Sequence, residues 1–270
     1  MGERQRSDLL RWLVLGAFLL PIVWAVLGSL DITPDGRGGW VVAPTLDHYR
    51  EVLTGSLGLT EATIQGLLVA GAAATLAVGA GLLGAVGLRG VRSAWASRAP
   101  AVLLVLSLIP PIAYGPPLVD ETRALGLFDS PVGLTVVEAG LGLPFALWVL
   151  ASYLSSVPRE IDEAGALDGC GALGHLRWIV LPMVWPALVA TLVVLFVLCW
   201  NLFEIPSLLA FASIQTVQIV LSSFVSYEKE MEWPTAAASL VVGMLPAFFA
   251  VALGQRLLRS FSPFGQEGGD

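Results

Sequence analysis

The sequence predicts an all-α integral membrane protein with six transmembrane helices, and three observations point to it. Only 13% of the 270 residues are charged and 56% are hydrophobic, with a mean hydropathy of +0.80. A water-soluble domain of this length carries about a quarter charged residues to cover its surface, so the apolar excess faces lipid. Roughly 20 apolar residues cross one bilayer, and charge and Pro/Gly punctuation separate six such runs. Arg and Lys collect on alternate connections between them.

The first span is expected over about 9–30. Its apolar run from Trp12 to Leu30 exceeds a signal-peptide core, and Gly28-Ser29-Leu30-Asp31 is a poor cleavage site, so it reads as a retained signal-anchor. The second, 62–88, places small residues Ala73, Ala77, Gly81 and Ala85 every four positions. That ridge lets a neighbouring backbone approach closely, and packing within the chain is preferred to a homodimer. The third span is placed at 99–119 and the fourth at 132–157, followed by a long loop, 158–182. The fifth and sixth are placed at 183–211 and 235–258, all within one domain, 1–270. Six spans put both termini on one side.

Cytoplasmic loops carry an excess of Arg and Lys. With the N-terminus inside, Arg4, Arg6, Arg11, Arg89, Arg92, Arg98, Arg159, Arg177, Arg256 and Arg259 lie inside. Only Arg37, Arg50, Arg123 and Lys229 lie outside, so both termini are expected to be cytoplasmic. Eleven acidic residues then join those four outer cations, which accounts for the whole net charge of −7. Glu138 and Glu204 fall within spans. Glu138 is expected near the outer surface or paired rather than as a proton carrier.

The chain is expected to be a transport subunit and not an enzyme. Its one lysine, Lys229, stands in no Gly-x-x-x-x-Gly-Lys-Ser/Thr loop that would hold a nucleotide's phosphates. Two distant histidines, His48 and His175, and two cysteines, Cys170 and Cys199, give no zinc-ligand spacing. No metal or catalytic residue is expected.

The 158–182 loop breaks the pattern of basic inner loops, with Glu160, Asp162, Glu163 and Asp168 against Arg159 and Arg177. Pro158 can start a helix, acids suit a first turn, and Gly169 and Gly171 can end it. A short helix, a turn and a second short helix are expected. In order the loop gives Glu163-Ala164-Gly165, Asp168-Gly169, Ile179-Val180-Leu181-Pro182 and Pro186. This resembles the EAA loop of importer-type ATP-binding-cassette (ABC) permeases. Similarity extends along most of the chain to the carbohydrate-uptake branch, closest to the smaller permease subunit of maltose-type systems. It rests on Asp47-His-Tyr49 with Val52-Leu53, Pro110 and Pro117, Leu125-Gly-Leu-Phe128, Leu143-Pro-Phe145 with Trp148, Trp200-Asn201-x-Phe203, and Gln255-Arg256. Gly165 in place of the second alanine is expected to loosen the helix by about 1 kcal/mol. Gln65-Gly66 replaces Asn-Ser, and the tail from Phe261 to Asp270 lacks the family's ending, which in the maltose system contacts the ATPase.

The resemblance implies a type I ABC importer permease fold in a bacterial or archaeal cell membrane. It implies a second homologous permease, two ABC ATPase subunits and an extracytoplasmic solute-binding protein, with no nucleic acid involved. ATP and Mg would sit on the ATPase, leaving no cofactor here. Glu160, Glu163, Ala164, Gly165, Asp168, Gly169, Leu181 and Pro182 become candidates for ATPase coupling, with Glu163 to Gly165 in its cleft and His175 beside it. Polar groups inside spans suggest a pathway, so Trp200, Asn201 and Glu204, with Trp200 and Glu204 on one helix face, are candidates for the solute. They serve equally to bond neighbouring helices. Polyamine- or anion-type permeases, and beyond ABC systems an ion-driven secondary transporter or an assembly factor, are the alternatives.

Overall fold

The computed structural model describes residues 3–34, 39–55, 57–91, 93–224 and 233–260. Asp35, Arg37, Arg92, Glu228, Lys229, Glu230, Glu232 and the Phe261–Asp270 tail, used above in the readings of sidedness and ATPase contact, lie outside the described residues.

Among the described residues, five helices are long and apolar enough to cross a membrane: α1 (Glu3–Ser29), α3 (Leu59–Arg89), α6 (Pro131–Ser155), the continuous helix Ala172–Trp200, and α12 (Trp233–Ser260). The expected third span is instead two helices, α4 (Ala94–Leu106) and α5 (Gly115–Ala124). A 3-10 turn, Pro111–Tyr114, joins them, and the chain bends by 87°. The cause is Pro110-Pro111. A residue before proline is driven out of the α region, and Pro110 sits at φ −55°, ψ 133°, with no α-helix possible through it. Helix resumes where Pro116 and Pro117 occupy first-turn positions, where a missing N–H costs nothing.

The expected fifth span shifts the other way. Helix starts at Ala172, well inside the predicted loop, as α8 (Ala172–Gly174), a π-helical stretch His175–Val180 and α9 (Leu181–Trp200). Pro182 lacks an N–H and its ring crowds the preceding turn, and the widened π turns fall where that crowding would act. Helix stops at Trp200 rather than 211, because Pro206 cannot continue it. A separate helix, α10 (Glu204–Leu209), follows, then α11 (Val217–Ser223).

The described residues cluster into two compact units. One comprises 1–64 with 216–245. Here a small antiparallel ribbon not foreseen from the sequence pairs β1 (Ile32–Pro34) with β2 (Trp40–Val42). The short helix α2 (Asp47–Thr54) is held by polar side chains. Tyr49 Oη lies 2.6 Å from Ser29 Oγ, His48 Nδ1 lies 3.2 Å from Thr235 Oγ1, and His48 Nε2 lies 3.5 Å from Asp31. Val52 on the same helix is buried.

The other unit, 65–215 with 246–270, holds an extended apolar core. The small-residue ridge of α3 serves packing within the chain: Ala73, Ala77 and Ala85 are buried, and a Cβ on Gly81 would come within 2.7 Å of the Ala146 Cβ on α6. Leu150, Val184 and Leu195 complete this core. The departure at Gln65-Gly66 is explained here as well. The Trp200 ring lies against the bare Cα of Gly66, 3.1 Å from where a Cβ would stand, and Gln65 Oε1 accepts the Gln215 N–H at 2.9 Å.

Asp129, in the turn between α5 and α6, accepts the backbone N–H groups of Phe211, Ala212 and Ser213 at 2.8 to 3.2 Å. The Phe211 N–H, seconded by those of Ser213 and Ala212, holds its carboxyl below the ordinary value. Because the folded-state value is lowered, this contribution is complete above the unfolded-chain value near 4 and disappears as pH falls through the lowered one. Asp129→Ala should speed amide hydrogen exchange at Ala212 and Ser213 by roughly tenfold at pH 7. Exchange corrected for intrinsic pH dependence should show wild type approaching the variant only in acid.

Candidate functional site

The 158–182 segment builds one short helix, α7 (Glu160–Leu167), with Glu160, Asp162 and Glu163 in its first turn, where the positive end of the helix dipole favours them. Gly169 ends it in the left-handed region at φ 77°. The Cys170 N–H reaches back to the Gly165 carbonyl at 3.0 Å and the Gly169 N–H to Ala166 at 3.1 Å, satisfying carbonyls that a helix end leaves open. Gly171 then precedes Ala172. In place of the expected second short helix, the chain runs on unbroken into the span ending at Trp200.

The helix has a bare face and a held face. Glu160, Glu163, Ala164 and Leu167 recur at i, i+3, i+4 and i+7 on one side, and all four are exposed, Leu167 at 89%. Asp168 and Gly169 are exposed beside them. Gly165 is on the other side, buried against its own chain: a Cβ there would collide with Ile179 Cδ1. Gly165 thus packs α7 onto the helix that follows, and an alanine methyl there would require Ile179 to shift its side-chain end. His175 turns inward as well, Nε2 lying 3.0 Å from Asp162 Oδ1. Leu181 is half-buried and Pro182 exposed, both at the start of α9 rather than in a loop.

Sequence reading missed the residue that ties this corner together. Arg89, the last residue of α3, is only 12% exposed. Its Nε donates to Asp162 Oδ2 at 2.5 Å, Nη1 donates to the Leu154 carbonyl, and Nη2 donates to the Val157 and Pro158 carbonyls at 3.1 and 3.2 Å. The planar guanidinium with five donors suits such a fan. The signal available in the sequence was a cation in the final turn of an apolar helix, where the dipole favours it, and it was read only as a marker of sidedness.

The three solute candidates do not form one helix face. Trp200 is buried at 3% and stacks on Phe196 with ring centroids 6.2 Å apart. Helix ends there, so the i, i+4 relation to Glu204 is lost. Asn201 is exposed and turns its amide back to the Val197 carbonyl at 2.8 Å, and Glu204 is exposed at the start of α10. Glu138, expected near the outer surface or paired, is 2% exposed; the Cys199 thiol bonds its carboxyl, while Oε2 finds no partner among the described residues. No cluster of His, Cys, Asp or Glu able to hold a metal occurs among the described residues.

Comparison with known proteins places these features in context. Residues 77–259 match the family model described as binding-protein-dependent transport system inner membrane component. The trehalose transport system permease protein SugB of Mycobacterium tuberculosis is 27% identical over 263 residues, covering 95% of each chain. The trehalose/maltose transport system permease protein MalG of Thermococcus litoralis is 26% identical over 258 residues, covering 92% of this chain and 93% of the relative. Among solved structures, a chain of a bacterial ABC transporter that imports the acidic polysaccharide alginate shares the fold. The TM-score is 0.77 with 18% identity, over 95% of this chain and 98% of the other.

Proposed function

Because this chain belongs to the family of binding-protein-dependent transport system inner membrane components, we propose that it is one permease half of an ATP-driven importer for a carbohydrate. A second permease completes the pathway, two ATPase chains dock on the α7 side, and a solute-binding protein delivers the sugar from outside. The carbohydrate assignment comes from the trehalose and maltose systems to which the similar permeases belong. In this reading ATP and Mg sit on the ATPase chains, and the chain runs with both termini in the cytoplasm.

One observation carries the coupling role. The face of α7 holding Glu160, Glu163, Ala164 and Leu167 is bare, while its opposite face is fixed to the chain through Asp162 and Gly165. An exposed leucine among carboxylates suits a partner groove with an apolar floor and a cationic rim. A short helix held on one side and gripped on the other transmits a rigid-body displacement. Asn201 and Glu204 keep a place as groups near the solute path. Trp200, buried in the packing against Gly66, leaves that set.

Reconstitution of the chain with its partner permease, ATPase and binding protein in liposomes tests this reading. Uptake of labelled trehalose or maltose should require all four components and ATP. Uptake by the isolated chain driven by an ion gradient would assign it to secondary transport instead, and ATP-driven uptake of polyamine but not sugar would move it to that branch.

A further inference from the structure

Resting on the coupling role above, we propose that Arg89 is a positioning residue that makes the ends of α3 and α6 move with the ATPase-docking helix α7. A helix leaves its last carbonyls without intrahelical partners, and at the end of α6 and in the following turn the carbonyls of Leu154, Val157 and Pro158 all receive Arg89 donors. The remaining donor goes to Asp162 in the first turn of α7. One side chain therefore braces the end of α3 against the end of α6, the short connection 156–159 that leads out of α6, and the start of α7.

The pairing is more than a surface ion pair. Arg89 is 12% exposed and Asp162 28%, so solvent screens the contact far less than an exposed pair. The second Asp162 oxygen is taken by His175, from the helix that continues to Trp200, and Ile179 of that helix fills the notch at Gly165. α7 is thus attached in two directions. His175 and Ile179 tie it to the fifth span, the connection 156–159 joins it to α6, and among the described residues Arg89 supplies the side-chain bonds that brace that connection and tie α7 to α3. Without Arg89, displacement of α7 reaches α6 only through the unbraced connection 156–159 and reaches α3 only through core packing. Lysine would keep the charge opposite Asp162 but not the fan of donors.

The test uses the complete complex in liposomes, with Arg89→Gln, Arg89→Lys and Asp162→Asn each measured for solute moved per ATP hydrolysed. Arg89→Gln should lower that ratio at least tenfold while the ATPase still co-purifies, and Arg89→Lys should recover part of it. Asp162→Asn leaves the carbonyl contacts of α6 intact and should fall in between, so a folding failure of Arg89→Gln does not remove the test. In parallel, spin labels at Leu83 on α3 and Leu167 on α7, both exposed, introduced with Cys170 and Cys199 replaced, should give a narrow distance distribution that broadens in Arg89→Gln. A wild-type transport ratio and an unchanged distribution in Arg89→Gln would overturn the proposal. Absence of ATP-driven uptake by the wild-type complex would overturn the coupling role itself, and the label distances would then still report on the Arg89 tie alone.

Discussion

Glu163→Lys is expected to abolish ATP-driven uptake while leaving the membrane fold intact. Glu163 is exposed on the bare face of α7 and forms no part of a core. The reversal exchanges a favourable helix-dipole interaction for an unfavourable one, each about 0.3–1 kcal/mol, a cost confined to the first turn of one short exposed helix. Against a docked ATPase the same substitution reverses a charge where a cationic rim is expected. Truncating one member of a desolvated interfacial pair costs about 2–5 kcal/mol, and reversal costs no less, which corresponds to about 30-fold or more in affinity. Co-purification of the ATPase and uptake in proteoliposomes should fall together, with thermal unfolding unchanged. Wild-type uptake by Glu163→Lys would mean that the bare face is not the docking face.

Gly81→Leu is expected to have the largest effect on stability. At this point the Cβ would meet Ala146 Cβ at 2.7 Å and the backbone atoms Ala146 C and Leu147 N at 3.0 Å. A side-chain end can rotate away, but helix backbone cannot. Overpacking of this kind costs about 1–3 kcal/mol and occasionally more, and leucine here should reach the upper end because it forces α3 and α6 apart along the core that includes Ala77 and Leu150. Gly79, two residues earlier, has nothing within 4 Å of a Cβ, so Gly79→Leu on the same helix is the matched control. Unfolding in detergent should show Gly81→Leu strongly destabilised or unable to fold and Gly79→Leu close to wild type. Equal behaviour of the two would show that α3 and α6 do not meet through this ridge.

The spans and the α7 segment were legible because lipid exposure and ungapped spacing are properties of consecutive residues. Long apolar runs fall on α1, α3, α6 and α12, although α1 begins at Glu3, six residues before the expected run. Where the reading failed, proline was the cause. Pro110-Pro111 breaks the third segment, and Pro206 ends the helix before Glu204, which removed the shared face on which Trp200 and Glu204 had been paired. Both signals were present in the sequence but were outweighed by hydropathy, which measures what solvent a segment prefers and not whether its backbone can stay helical. The inward turn of Gly165 and His175 and the reach of Arg89 to Asp162 were not legible, because each depends on residues from 13 to 73 positions apart meeting in space.

The uninterrupted helix from Ala172 to Trp200 has 29 residues and at 1.5 Å per residue is about 43 Å long, against a hydrocarbon thickness of about 30 Å. If Trp200 lies at one face of the hydrocarbon, about 13 Å stands clear of it at the Ala172 end, nearly twice as far from the bilayer centre as the Trp200 end. A tilt of about 10° about that centre would carry the Ala172 end through about 5 Å and the Trp200 end through about half as much. The asymmetry is a mechanical advantage. Under the proposed coupling role, a large stroke at α7 would be geared down to a smaller and more forceful shift at the far end, where Asn201 and Glu204 follow.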